Sequence, residues 1–388
     1  MSLRHRSKND WGRLDMTSEL SSLCSYAKGK VSVDTLSKRN YVSTENMMPN
    51  KGGIVDAGAL PSAQYTQQYI KDDILVSNIR PYFKKIWMAD DDGGCSNDVL
   101  VFRADRGCDS TFLYYILAND AFFNYASATS KGTKMPRGDK TAIMQYKVPC
   151  FNYETQLRIG KLLRSIDDRI AVNKKINDNL QQQAAALFSS LYDRTNTEVR
   201  FTDLIQILGG GTPKTGENTY WNGNIAFFTP KDVGTPYTLS TEKTITEEGL
   251  SHCNSRLYPV NTVFVTARGT VGKVGMSGVP MAMNQSCYAL VGKETHQLLV
   301  YFYTLKTVDR LKHKASGAVF DAITTRDFES EQIMKLSDED AKSFLCIAAP
   351  MFQKVLDNGI ENQRLSTLRD SLLPKLMSGE IDVSAVQL

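Results

Sequence analysis

Two stretches of this chain, 185 residues apart, carry the same interrupted apolar seam. In the first, Ile159, Leu163, Ile166, Ile170, Leu180, Ala184, Leu187 and Leu191 recur in alternating steps of four and three, with Asn173 and Asn177 filling the gap. That spacing predicts a helix with a heptad seam about five repeats long, a rod of roughly 50 Å. In the second, Phe344, Ala348, Met351, Val355, Leu365, Arg369, Leu372 and Leu376 repeat the pattern; Asn358 and Asn362 fill its gap, and of the eight only Arg369 is not apolar. A seam this narrow needs a partner helix. The chain therefore reads as two halves, each closed by a long helix.

The blocks before the helices correspond as well. Ile74-Leu75-Val76-Ser77 matches Val263-Phe264-Val265-Thr266, Cys95-Ser96-Asn97-Asp98 matches Met283-Asn284-Gln285-Ser286, and the loop at Gly132 matches the loop at Gly317. Pro230, Pro236, Pro259 and Pro280 cut the second block into short strands, and Asn222-Gly223 predicts a hairpin turn between Tyr220-Trp221 and Ile225–Phe228. The expected fold is α+β: two mixed, strand-rich domains separated by two long helices in an antiparallel coiled coil, with a pseudo-two-fold internal repeat. Boundaries fall at 1–150 for the first domain, 151–195 for the first helix, 196–336 for the second domain, and 337–388 for the second helix and tail. An antiparallel pair sets Asn173 against Asn362 and Asn177 against Asn358, so each buried amide meets another. Pro350 predicts a bend in the second rod, or a late start to it.

Composition excludes more than it selects. A net charge of +4 permits a nucleic-acid partner without requiring one. Seven scattered cysteines with no C-x-x-C argue for a reducing compartment and against a disulfide framework or zinc site. No apolar run approaches the roughly eighteen residues of a membrane span, and Met1–Lys8 lacks the core of a secretion signal, so a cytoplasmic location is expected. Enzyme signatures are missing too. No Gly-Lys-Ser/Thr follows the glycine run 209–211, and His5, His252, His296 and His313 form no metal-binding pattern. Asp90-Asp91-Asp92 reads as an exposed turn before Gly93-Gly94. No catalytic residue and no metal ligand is assigned.

Three groups of residues bring a family into view. The segments Gly209–Lys214 (GGGTPK), Tyr220–Ile225 (YWNGNI) and Phe228–Asp232 (FTPKD) resemble the opening of target-recognition domains in type I restriction-modification specificity subunits. Leu368–Ile381 (LRDSLLPKLMSGEI) resembles that family's C-terminal helix, and Ser165–Ile170 with Asn173–Asn177 its central one. The first domain departs from the pattern, with Ser25–Lys30 in place of the Gly-Gly-Thr-Pro opening and Ser43–Met47 following. The resemblance implies a non-catalytic subunit that reads a bipartite, interrupted site on double-stranded DNA. It also implies docking to two methyltransferase subunits and to restriction subunits, which would carry S-adenosylmethionine, ATP and Mg. The alternative is a coiled-coil interaction scaffold with duplicated, protein-binding domains.

DNA readers need cations for phosphates and amide or guanidinium groups for base edges. Candidates in the first domain are Lys28, Lys30, Asn46, Lys51, Asn78, Arg80, Lys131, Lys134 and Arg137. In the second they are Lys214, Thr229, Lys231, Arg268, Lys273, Asn284 and Gln285. The Ser-Lys-Gly-Thr-Lys and Arg-Gly-Thr-Val-Gly-Lys loops stand out, because glycine allows close backbone approach. Tyr220 and Trp221 are expected to pack beneath the hairpin. Leu372, Leu373 and Leu376 are candidates for gripping a methyltransferase helix or for closing the coiled coil.

Overall fold

The computed structural model describes residues 17–234, 236–314 and 322–383; Met1–Lys8 and Gly317 lie outside them. Compactness groups the chain into Met1–Arg169 with Leu365–Leu388, and Ile170–Arg364. These limits fall inside the long helices and not at 150 and 336, because each helix end packs into the core of a globular block.

In the first unit, strands Cys24–Tyr26, Val99–Ala104, Ile74–Ser77 and Ile86–Met88 form an antiparallel sheet in that order. Ile74–Ser77 is buried throughout, as are Val99–Phe102, which explains their unbroken apolar runs. Helices Ser110–Ala118 and Asp120–Ala128 pack onto this core. Each starts where a short polar side chain caps it: Asp109 accepts from the Phe112 amide at 2.8 Å, and Asn119 from the Ala121 amide at 3.0 Å. A second sheet orders Lys30–Ser32, Tyr65–Tyr69, Gly93–Cys95 and Tyr41–Val42, the last pair parallel.

The second unit repeats this plan. Ile205–Gly209, Cys287–Gly292, Val263–Thr266 and Val274–Ser277 pair antiparallel in the same order, with Tyr237–Thr238 added in parallel at the edge. In the smaller sheet Trp221–Phe228 lies between Lys243–Ile245 and a parallel strand, Met281–Met283. Each unit is closed by a short antiparallel clasp, Thr17–Glu19 with Lys147–Pro149 in the first and Glu198–Arg200 with Gln332–Met334 in the second.

Asn222-Gly223 is not the expected hairpin turn. It is a bulge inside the strand Trp221–Phe228, where Trp221 and Ile225 both face Ile245. Asn222 takes the left-handed conformation at φ 60°, and a Cβ on Gly223 would lie 2.5 Å from the Ile245 carbonyl. The left-handed φ that a tight hairpin would need is present at Asn222, but the chain uses it to kink one strand.

The long helices run Tyr153–Tyr192 and Asp338–Met377 and pair antiparallel. Within the second unit the Asn173 amide donates to Asn362 Oδ1 at 3.0 Å and to Glu361 at 2.9 Å, and Asn358 donates to Asn177 Oδ1 at 2.8 Å. Within the first unit, Arg369 meets Asp167. Pro350 neither delays nor ends the second helix, which begins twelve residues earlier at Asp338. Its side chain is exposed, and so is Cys346, whose carbonyl loses its partner. The seam also shifts by one residue where Phe188 and Phe352 replace Leu187 and Met351 as the buried members. There Phe188 stacks on Phe302 at 4.9 Å, so packing against the domain overrides the heptad.

Leu373 and Leu376 are 6% and 0% exposed in the first unit's core, beside Ile159 and Leu163, with Leu372 packed against the same cluster. Leu373 and Leu376 are therefore not available to grip a partner helix, while Leu372 is half-buried. Among the described residues no helix is long and apolar enough to cross a membrane.

Candidate nucleic-acid interface

In each unit the strand ends converge through the same backbone bonds. In the second, the Ala267 amide donates to Ser286 O at 2.8 Å, the Asn284 amide to Phe228 O at 3.0 Å, and the Ile323 amide to Ala267 O at 2.9 Å. In the first, Asn78 bonds Asp98 O at 2.8 Å, Ser96 bonds Val42 O at 2.9 Å, and Gly138 bonds Asn78 O at 3.1 Å. Isolated bridges complete the likeness, Arg268 with Ala322 and Ile79 with Arg137. Four loops are thereby gathered at one end of each sheet.

The second unit's loops are held close by glycine. A Cβ on Gly210 would lie 2.3 Å from the Asn284 carbonyl, and one on Gly211 would lie 2.6 Å from the Asn254 amide. Gly211 donates to Met283 O at 3.1 Å. This seats Thr212 against Gln285, and its hydroxyl donates to Gln285 Oε1. With its carbonyl occupied, exposed Gln285 presents an NH₂, a donor, to solvent. Arg268 is exposed beside it, its amide tied to Ser286 O at 3.3 Å. Lys273 stands on the same glycine-hinged loop, with Gly269 at φ 84° and Gly272 at φ 74°. Lys214 is exposed, while its carbonyl accepts the Trp221 indole N–H at 3.1 Å. Lys231 lies 3.8 Å from Glu242, both largely exposed. Among the described residues no carboxylate pairs with Lys214, Arg268 or Lys273.

Two expected contacts here turn inward. The Thr229 hydroxyl donates to Asp232 at 2.6 Å, and Asn284 Oδ1 accepts the Ser286 amide at 3.0 Å; both close their own turns. Trp221 packs edge-on against Phe227, and Tyr220 stacks on His252 at 5.0 Å.

In the first unit Arg80, Lys131, Lys134 and Arg137 come together. The Arg80 amide donates to Pro136 O at 2.8 Å, and Lys131 and Arg137 bond each other's backbones at 2.8 and 2.9 Å. Lys131 reaches Asp139 at 2.6 Å and Arg137 reaches Asp98 at 3.1 Å. The Lys131 ammonium and two helix amides hold the Asp139 carboxyl below its usual range, and Asp139 raises Lys131 in return. Lys134 is exposed and, among the described residues, unpaired. Lys28 and Lys30 flank Gly29, at φ 137°, on the rim of an open depression also lined by Gln67, Asn97 and Lys140.

Three candidates do not belong to this surface. Asn46 is 5% exposed, and its amide is fully engaged: it donates to Tyr41 O and Val55 O and accepts from Ser43. Asn78 is 7% exposed with its Oδ1 buried. Lys51 is held by Asp120 at 2.9 Å. Sequence reasoning missed Thr212, which orients Gln285, although it lies in the glycine-rich segment already singled out. It also missed Lys140, which lines the depression, and Asn97, although the match of Cys95–Asp98 to Met283–Ser286 sets it opposite Gln285.

The chain matches the family described as the type I restriction modification DNA specificity domain over residues 16–182 and 194–337. It is similar to the type I restriction enzyme HindI specificity subunit of Haemophilus influenzae, 23% identical over 433 residues spanning 88% of this chain and 94% of that one. It also resembles the MjaIX specificity subunit of Methanocaldococcus jannaschii, 27% identical over 171 residues spanning 42% and 38%. In fold it is similar to the crystal structure of a type I restriction-modification S subunit from M. genitalium. The TM-score is 0.63 at 16% identity, over 97% of this chain and 98% of that one.

Proposed function

Because the chain belongs to the family of type I restriction modification DNA specificity domains, we propose that it reads an interrupted site on double-stranded DNA, one half through each unit. The observation that carries this reading is the repeated convergence of loops, which in both units ends in exposed cations beside backbone-pinned turns. In the second unit, Arg268 and the Gln285 NH₂ suit base-edge acceptors such as guanine O6 and N7, while Lys214, Lys231 and Lys273 suit phosphates. In the first, Arg80, Lys134 and Arg137 take these roles, with Lys28 and Lys30 on flanking phosphates.

The chain carries no reaction of its own in this proposal. It directs methyltransferase and restriction subunits to the site, and S-adenosylmethionine, ATP and Mg act on those partners. The test is a genome-wide map of adenine methylation in cells making this chain together with its methyltransferase subunit. One bipartite motif is expected, with one half altered by mutating 131–137 and the other by mutating 268–285. Methylation by an assembled methyltransferase that is the same with or without this chain would overturn the reading.

A further inference from the structure

The turn Pro81–Phe83 carries two aromatic side chains outward, Tyr82 at 52% and Phe83 at 39% exposure, with Met135 at 48% on the neighbouring loop. Resting on the DNA-reading proposal, we infer that Tyr82 and Phe83 form an apolar wedge that enters duplex DNA at a base step of the half-site read by the first unit. Four observations support this.

The turn stands at the loop convergence. It begins two residues after Ile79, which bridges Arg137, and the Arg80 amide is bonded to Pro136 O. It is also rigid. The Asn50 amide donates to Phe83 O and the Lys51 amide to Lys84 O, each at 2.8 Å, and Asp120 clamps Lys51 and Lys84 at 2.9 Å. A wedge must be braced in this way, since unstacking a base step costs free energy that a freely rotating side chain could not offset.

The turn is strained as well. Asn50, Lys51, Arg80 and Lys84 all have φ between 50° and 61°, and the buried Arg80 Nε has no hydrogen-bond partner. Strain of this kind persists where the surroundings enforce it, and it clusters at binding sites. Finally, its surroundings are cationic. Asp98, Asp120 and Asp139 are each paired with a cation, leaving Arg80 and Lys134 in excess around the rings. A polyanion is the occupant that this charge selects.

The second unit is built otherwise. Arg268 makes the bridge that Ile79 makes, so Val271 and Gly272 stand where Tyr82 and Phe83 do. Val271 packs against its own core, and Gly272 is buried beneath Lys312. The wedge therefore acts on one half of the site alone.

The experiment uses the complex of this chain with its methyltransferase subunits, and duplexes bearing the motif that methylation mapping returns. 2-Aminopurine replaces single bases, away from the methylated adenines, through both halves. Fluorescence is expected to rise on binding at one or two adjacent steps in the half lost on mutating 131–137. Y82A/F83A, and separately Y82S (the more exposed ring and the gentler change), should return it to the free-duplex level. Affinity should fall less than about tenfold, because the phosphate contacts remain. No rise with the native chain, or a rise that survives both variants, would overturn the wedge. Variants that fold but no longer assemble with the methyltransferase would show that this face docks protein instead. Should mapping return no motif, it is the DNA-reading proposal that fails.

Discussion

Arg369 Nη1 lies 2.6 Å from Asp167 Oδ1, while Tyr115 donates its hydroxyl to the other oxygen of the same carboxylate at 2.6 Å. This explains why one position of an otherwise apolar seam is a cation: it neutralises an acid that the first helix brings into a half-buried site. Arg369→Leu leaves Asp167 with Tyr115 alone and should destabilise the first unit by about 1–3 kcal/mol. Asp167→Leu/Arg369→Leu should cost less than the sum of the two singles. A coupling below about 0.5 kcal/mol in a urea-denaturation cycle would make the pair a bystander.

The asparagine pairs are unequal. Asn173 donates to both Glu361 and Asn362, whereas Asn358 donates to Asn177 but leaves its own buried Oδ1 unpaired. Asn173→Leu should therefore cost about 2–3 kcal/mol, and Asn358→Leu about 1 kcal/mol or less, since removing an unsatisfied acceptor offsets the lost bond. Equal costs in denaturant titrations would contradict this.

Gly210→Ala places a methyl against the Asn284 carbonyl and must push apart the two loops that present Gln285. Loss of such a base contact is worth about 1–3 kcal/mol. Methylation should relax at the second unit's half of the motif and stay faithful at the other. Loss of fidelity in both halves would point to global unfolding.

Salt titration separates phosphate contacts from bystanders. Replacing Lys134 or Lys273 with Ala should each lower the slope of log K against log salt by about 0.9. Thr229→Val should leave the slope unchanged, because that hydroxyl serves Asp232. Fluorescence anisotropy across salt concentrations reads all three.

Lys84 and Lys51 together hold the Asp120 carboxyl below its usual range. Their bracing is fully present above the unfolded carboxylate value of about 3.9 and is lost as pH falls through the lower folded value. Protection of the Lys51 and Lys84 amides from hydrogen exchange, taken relative to the intrinsic rate at each pH, should stay high at pH 5 and fall well below pH 4. Asp120→Asn should lower it already at neutral pH.

The helix pair was legible because a seam of fours and threes has one structural meaning, and two asparagines in it fix the register once the helices run antiparallel. Its ends were not, because Phe188 and Phe352 answer to rings such as Phe302, more than a hundred residues distant from Phe188. Arg369 was unreadable for the same reason, its partner lying 202 residues away. In the candidate site, the exposure of cations such as Arg268 and Lys273 follows from the glycines beside them in sequence. Asparagine and threonine are harder: the same side chain that reads a base also closes a turn. Asn46, Thr229 and Asn284 do the second.

The clasp of the second unit has an evolutionary consequence. Glu198 faces Met334, the Lys335 amide donates to Thr197 O at 2.8 Å, and Thr195 donates to Lys335 O at 2.9 Å. The peptide thus leaves the block where it entered, so the block is joined to the long helices at one clasp and packs on their ends through rings such as Phe302 against Phe188. A crossover between genes at these two points could replace the whole block while leaving both long helices intact, so a new sequence preference could be inherited in one step.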